Sequence, residues 1–179
     1  MSAPTDRPGP GRLSHLDEAG AAQMVDVGGK AATTRKALAT GVFRTTADVI
    51  SLLSTGGLPK GDALATARIA GIMAAKKTPE LIPLCHQVAL STVSVDFVLG
   101  TDSIEVRATA VTTDRTGVEM EALTAVAVTG LTLHDMVKAV DPRAQMTDIC
   151  LQEKTGGKKG HWTRDDRPVD ETGSANGGV

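Results

Sequence analysis

Val88-Ala-Leu-Ser-Thr-Val-Ser-Val-Asp-Phe-Val-Leu99, then Gly100-Thr-Asp102, then Ser103-Ile-Glu-Val-Arg-Ala-Thr-Ala-Val-Thr-Thr113, is the stretch that decides the fold class. Val, Leu and Ile alternate with Ser, Thr, Glu and Arg on both sides of a turn signal, the period of a strand with one buried face. The pattern predicts a β-hairpin over 88–99 and 103–113 with its polar residues outward. Directly after it, Thr113-Asp-Arg-Thr-Gly-Val-Glu-Met-Glu-Ala-Leu-Thr124 and the Ala/Val/Thr/Leu run up to His134-Asp-Met-Val-Lys138 predict a long helix over 117–140, stopped by Asp141-Pro142. Met120, Leu123, Ala127, Leu131, His134 and Val137 recur every three or four positions and are expected to form its buried face.

Upstream, 35–44 reads as a strand, although propensity alone also allows a helix. Residues 46–54 read as a short helix capped by Thr45 or Thr46, and Gly56-Gly-Leu-Pro59 as a loop. Asp62 caps a helix over 62–77 that Pro79 helps to end. A last strand is expected near 146–154, and Met24-Val-Asp-Val27 could be a short extra one. Strand, helix, strand, strand, helix, strand is the order of a ferredoxin-like split βαβ sandwich. The expectation is an α+β fold, an antiparallel sheet with helices on one face and a partner on the other. One domain over 15–160 would lie between unstructured tails at 1–14 and 161–179, which are rich in Pro, Gly or charge and show no periodicity.

At 179 residues, 41% hydrophobic and 22% charged, the chain is long enough for a real core. A net charge of -2 argues against nucleic-acid binding as its main business. No run of eighteen apolar residues and no apolar signal region is present, so the expectation is a cytoplasmic protein that meets no membrane. Cys85 and Cys150 fit neither a redox nor a zinc spacing. Aromatic residues make up 2% of the chain, so a purine-like ligand would be held by polar and backbone contacts. The helix after Lys60 carries Ala63, Ala65, Ala67, Ala70, Gly71, Ala74 and Ala75, and a chain so poor in bulky side chains gains by burying surface between subunits.

Three places carry groups suited to chemistry. Lys60-Gly61-Asp62 stands at a loop-to-helix junction, where amide groups and the helix dipole favour an anion, although lysines are commonplace there. Leu81-Ile-Pro-Leu-Cys-His86 ends an apolar loop on a Cys-His pair just before a strand; a structural histidine bonded to a backbone carbonyl is the competing reading. Adjacent residues in extended chain point opposite ways, which disfavours a Cys-His nucleophile, and no second ligand cluster suggests zinc. On the long helix, Glu121, Asp135 and Lys138 share roughly one side, and Asp135 and Lys138 are spaced for a local ion pair. Glu121 and Asp135 would nevertheless lie about 21 Å apart at about 1.5 Å per residue, so one compact pocket cannot use both ends of one copy.

Thr-Gly-Val-Glu-Met-Glu-Ala-Leu-Thr followed by Asp-Met-x-Lys, together with Met24-Val-Asp-Val27, Arg35, Lys60-Gly-Asp-Ala-Leu-Ala-Thr-Ala-Arg-Ile-Ala-Gly71, Leu81-Ile-Pro-Leu-Cys-His86 and Lys154-Thr-Gly-Gly-Lys158, resembles the molybdenum cofactor biosynthesis protein C family, the cyclic pyranopterin monophosphate synthases. The ordered matches run from about His15 to Gly160. The resemblance implies conversion of 3′,8-cyclo-7,8-dihydro-GTP to cyclic pyranopterin monophosphate with release of pyrophosphate. It implies a homohexamer built as a trimer of dimers. No cofactor is expected to be required, although magnesium could ride in with the triphosphate. A triphosphate on a chain of net charge -2 needs locally concentrated cations.

By the same resemblance, Asp135 and Lys138 carry acid/base work with Lys60 assisting, since an Asp beside a Lys biases the protonation of both. Glu121 and Met120 contact the base-derived ring with Glu119 near it. Leu84, Cys85 and His86 belong to a substrate-binding stretch, and Arg35, Lys154 and Lys158 bind phosphate. Gln87 and His134 stand where the family usually has Pro and Tyr, and Lys159 where a small residue is common. None of the matched charged residues is lost. The alternative is a catalytically idle phosphate- or nucleotide-binding homologue with a regulatory or assembly role.

Overall fold

The hairpin forms as its alternation requires. In a computed structural model that describes residue 24, residues 27–157 and residues 160–164, β2 (Leu90–Leu99) and β3 (Ser103–Asp114) pair antiparallel around a turn closed by Gly100 N–H donating to Ser103 O at 2.8 Å. β3 continues onto β1 (Thr33–Arg44), β1 onto β4 (Gln145–Thr155), and β4 onto β5 (Trp162–Thr163). Among the described residues these strands make one antiparallel sheet in the order β2-β3-β1-β4-β5. The helices are α1 (Ala47–Thr55), α2 (Ala63–Lys76), α3 (Thr78–Leu81) and α4 (Glu119–Val137). The α+β class, the antiparallel sheet and the expected helices are all present.

Local chemistry explains the element ends. Thr46 Oγ1 accepts from Val49 N–H to start α1, and Gly56 ends it at φ 68°. Asp62 Oδ1 accepts from Ala65 N–H at 2.9 Å and starts α2, as its sequence predicts. Instead of only ending α2, Pro79 begins a further four-residue helix, α3, because proline is tolerated in a first turn. Met24 and Val27 lie in no strand, and Val25 and Asp26 are outside the described residues.

Alternate residues of β1 and β3 point into the core: Ala37, Ala39 and Phe43 from β1 and Ile104, Val106, Ala108 and Ala110 from β3 are buried, as is Val95 of β2. α2 covers β2 on this side, and α4 covers β1, β3 and β4. The opposite face is polar in part, with Arg107 paired to Glu105 and Gln152 Nε2 donating to Thr40 Oγ1.

Two expectations are corrected. The buried face of α4 is Ala122, Ala125, Val126, Thr129, Gly130, Leu133, Met136 and Val137, whereas Leu131 is 69% exposed and Met120 37%. Apolar residues stand on several sides of this helix, so more than one stripe satisfies the helical period, and closeness of approach selects the stripe that carries Ala122, Ala125 and Gly130. Residues 162–164, expected within an unstructured tail, are instead held against β4. Trp162 pairs with Lys154 and Thr163 with Glu153, and Arg164 donates from its backbone N–H to Gln152 O and from Nε to Leu151 O, each at 2.8 Å. A two-residue strand has no periodicity of its own and depends on the edge of β4. Residues 1–14 and 165–179 lie outside the described residues.

α2 and α4 touch backbone to backbone at Gly71. A Cβ there would meet Thr129 Oγ1, Ala125 O and Val95 Cγ2, the last two at 3.0 and 3.2 Å. Gly71→Ala gains up to about 1 kcal/mol of helix propensity, but overpacking typically costs about 1–3 kcal/mol. We expect Gly71→Ala to lower the Tm and Gly71→Val to lower it further in thermal unfolding; an Ala variant more stable than the parent would show that the helices can separate freely.

Candidate active site

Two charged groupings form at opposite ends of α4, and the helix is what separates them. At its C-terminal end stands Lys60, in the loop between α1 and α2. Leu58, only 6% exposed, anchors that loop, and a turn closed by Gly61 N–H to Leu58 O at 3.1 Å projects Lys60 outward. Gly61 has φ +84°, a conformation that suits a residue without Cβ. Lys60 Nζ donates to Asp135 Oδ2 at 2.7 Å and to Asp135 O at 2.9 Å, while Lys138 Nζ reaches Asp135 Oδ1 at 2.8 Å. One carboxylate thus holds two ammonium groups, one on each oxygen. The two donors, Lys138 foremost and Lys60 next, hold the Asp135 carboxyl down at about 2. Asp135 is therefore ionised at neutral pH and cannot be the resting proton donor. All three side chains are roughly half exposed.

The turn after α4 is pinned from behind. Asp141, 7% exposed, accepts from Thr45 Oγ1 at 2.9 Å and from Arg143 N–H at 3.0 Å. His134 Nδ1 lies 2.9 Å from Ala144 O, a carbonyl that can only accept, so Nδ1 carries the hydrogen. The ring is thereby committed to the loop that follows Asp135 and Lys138.

At the N-terminal end, Val118 precedes α4 without a side-chain cap, and Glu119 and Glu121 occupy the first turn. Glu119 Oε1 accepts from Lys154 Nζ at 2.9 Å. These two line a cleft of about 610 Å³ with Lys30, Arg35, Lys36 and Arg115, closed on one side by Gly156-Gly157. Arg35 Nη2 donates to Arg115 O at 3.4 Å. Glu121 is 3% exposed, and burial foremost, then the Glu119 charge, pushes its carboxyl above the usual range. Burial and next the Glu121 charge push the Cys85 thiol up as well, which leaves Cys85 a neutral thiol rather than a nucleophile.

The structure thus joins Lys60, Asp135 and Lys138, joins Arg35, Glu119 and Lys154, and sets Cys85 within electrostatic reach of Glu121. Within one chain it does not join the first set to the others. Leu84 and Met120 are exposed apolar residues, and His86 is half-buried in the segment leading to β2. Lys158 lies outside the described residues. Lys30, Lys36 and Arg115 were missed by sequence reasoning. For Lys30 and Arg115 the signal was a basic residue beside a glycine-bearing turn, in Gly29-Lys30 and Arg115-Thr-Gly117, whereas Lys36 lies inside β1 and carried none.

Glu121 provides a test in stability. Its folded value lies above the unfolded one, so the stability linked to it is complete below the ordinary glutamate range and is lost as pH rises through the folded value. Glu121→Gln should therefore raise the Tm near neutral pH, with the difference closing in acid. A Gln variant less stable than the parent near neutrality would show instead that the buried carboxylate is fully satisfied as an anion.

Comparison with known proteins bears on the same residues. The model of the MoaC family matches residues 24–157. A cyclic pyranopterin monophosphate synthase 2 of Mycobacterium tuberculosis is 65% identical over 154 residues, covering 86% of this chain and 92% of that protein. The cyclic pyranopterin monophosphate synthase of Streptomyces avermitilis is 58% identical over 169 residues, covering 92% and 99%. That of Novosphingobium aromaticivorans is 57% identical over 150 residues, covering 84% and 96%. With both charged groupings inside or beside the matched span, the chain belongs to the MoaC family.

Proposed function

We propose that this protein is a cyclic pyranopterin monophosphate synthase of molybdenum cofactor biosynthesis, converting 3′,8-cyclo-7,8-dihydro-GTP to cyclic pyranopterin monophosphate and pyrophosphate. The observation that carries the reading is the single carboxylate of Asp135 shared by Lys60 and Lys138, in a chain that aligns with nearly the whole length of synthases more than half identical to it. Asp135 enters the reaction as a carboxylate. When a substrate group displaces one ammonium from it, the carboxylate can take a proton and the freed ammonium can give one, the pair of functions that opening and rebuilding a ring system requires. Glu121 and Met120 contact the base-derived ring, Leu84, Cys85 and His86 flank it, and Arg35, Lys154 and Lys158 hold phosphate.

The strand order β2-β3-β1-β4 supports a ferredoxin-like split βαβ sandwich. The separation of the two groupings along α4, about 21 Å at about 1.5 Å per residue, supports a site shared between subunits of a homohexamer. In it Asp135, Lys138 and Lys60 of one chain face Glu121 and His86 of another. No helix among the described residues is long and apolar enough to cross a membrane, and the reading places the enzyme in the cytoplasm, acting on a small molecule rather than nucleic acid. It needs no resident cofactor; magnesium travels with the triphosphate.

Incubation of the purified protein with the cyclised intermediate should yield pyrophosphate and the cyclic monophosphate, whereas an idle homologue would bind without turnover. Lys60→Ala, Asp135→Asn and Lys138→Ala should each lower the single-turnover rate at saturating substrate at least ~100-fold, the usual scale for an acid or base. Arg35→Ala and Lys154→Ala should chiefly raise KM, an effect that salt deepens. Asp135→Asn with an unchanged rate and a raised KM would make Asp135 a binding residue. Mixing inactive Asp135→Asn and inactive His86→Ala chains should restore part of the activity, and mixtures that exchange subunits without recovering any would refute the shared site.

A further inference from the structure

His134 stands one residue before Asp135 and has no part in the proposed chemistry, yet its carbonyl and its ring both hold the turn that follows. The carbonyl accepts from Lys138 N–H at 2.9 Å, the bond that closes the last turn of α4. The ring Nδ1–H donates across ten positions to Ala144 O at 2.9 Å. Ala144 is 5% exposed, and the next residue, Gln145, begins β4 opposite Arg44. The ring therefore ties the end of α4 to the start of a sheet strand. α4 needs such a tie. α1 stops on left-handed Gly56, whose N–H turns back to Leu52 O and Leu53 O. α4 ends instead on Lys138 in the right-handed conformation, φ -56° and ψ -23°. A helix without a left-handed cap leaves its last carbonyls to other partners and loosens from that end. Loosening would misalign Asp135, whose Oδ1 accepts from Lys138 Nζ while Oδ2 and the backbone O accept from Lys60 Nζ. All three side chains are roughly half exposed, so burial does not hold them. The back of the turn is fixed, with Met136 and Val137 buried and Asp141 bonded to Thr45 Oγ1. His134, half-buried and adjacent to Asp135, extends that hold to the charged end.

We infer that His134 is a positioning residue: its Nδ1–H bond to the Ala144 carbonyl clasps the last turn of α4 and keeps the Asp135 carboxylate aligned between Lys60 and Lys138 for proton transfer. The inference rests on the proposed synthase reading for the reaction it serves. His134 acts through Asp135 rather than on the substrate. Loss of the clasp widens the range of positions that Asp135 samples, which slows a proton transfer that needs donor and acceptor in line. The first turn of α4 lies at the other end of the helix and is left as it was. The signature is a fall in kcat without a rise in KM. A ring that merely fills space would give neither that split nor any preference for a replacement that keeps the donor.

Three measurements on the full chain test this. Nitrogen-15 spectra of the parent in alkaline solution should show His134 as the Nδ1–H tautomer, and an Nε2–H tautomer overturns the clasp. In kinetic assays His134→Phe, which keeps a ring and lacks the donor, should lower the rate at saturating substrate about tenfold with KM within about twofold of the parent. His134→Asn should recover most of that rate, because its amide nitrogen stands two bonds from Cβ as Nδ1 does. A folded Phe variant with the parent rate, or an Asn variant no faster than the Phe one, overturns the positioning role. The third readout needs no turnover. The carbon-13 signal of the Asp135 carboxyl, which Lys138 and then Lys60 hold at about 2 in the parent, should titrate closer to the ordinary 3.8 in His134→Phe and return in His134→Asn. An unmoved titration overturns the proposal. A parent protein that converts no cyclised intermediate removes the synthase reading, and the tautomer and the Asp135 titration then decide the clasp by themselves.

Discussion

The close approach of α2 to α4 at Gly71 is the constraint on which the rest depends. Thr129 Oγ1 faces the place where a larger residue would put its Cβ, and it reaches Ala67 O at 3.4 Å. Because α4 also packs on β1, β3 and β4, its axis is fixed between a helix and the sheet. Fixing it fixes what stands at either end: Asp135 in the last turn and Lys138 just after it, Glu119 and Glu121 in the first. The same economy recurs where Met146 fits against Gly41 and Gly130. A flexible thioether fills the gap that two glycines leave. The core gains close contact from small residues rather than area from large ones, and small shifts in it would be transmitted to both charged ends.

Those ends are electrostatic opposites. At the C-terminal end two ammonium groups stabilise one exposed carboxylate and depress its proton affinity. At the N-terminal end burial raises the proton affinity of Glu121. Paired carboxylates pushed in opposite directions are a common arrangement for dividing acid and base roles in one site. Here they sit on one helix, too far apart to share a substrate within a chain. The division is therefore meaningful only if ring contact and proton transfer are supplied by different copies, which is the physical content of the proposed shared site.

The hairpin, the caps of α1 and α2 and the antiparallel class were legible because each rests on local chemistry: alternation, a threonine or aspartate before a helix, glycine after one. The inward face of α4 was not. Its period is helical whichever stripe is chosen, and only the facing Gly71 and Met146 decide that Ala125 and Thr129 point in and Leu131 points out. β5 was not legible either, since Trp162–Thr163 are a strand only because β4 has a free edge there. Within the candidate site, Asp135 with Lys138 could be read from i, i+3 spacing. Lys60, 75 positions away in sequence from Asp135, required the fold or the family pattern. Arg115 and Lys30 are loop charges with no pattern linking them in sequence, and only the adjacent ends of β1, β3 and β4 bring them to one cleft.

The helix dipole adds a reason for this arrangement. Glu119 sits at the positive end of α4, and Lys60 and Lys138 at the negative end, placements of a kind worth about 0.3–1 kcal/mol at an exposed site. Without substrate Glu119 is paired with Lys154, and Asp135 with Lys60 and Lys138. A phosphate approaching the first turn must compete with Glu119 for Lys154, and a polyanion competes better than a single charge because Arg35, Arg115 and Lys30 stand beside the same pair. In the proposed reading the resident carboxylate would set a charge threshold: an anion has to repay the broken Glu119–Lys154 contact, and Arg35, which Glu119 does not neutralise, helps it do so.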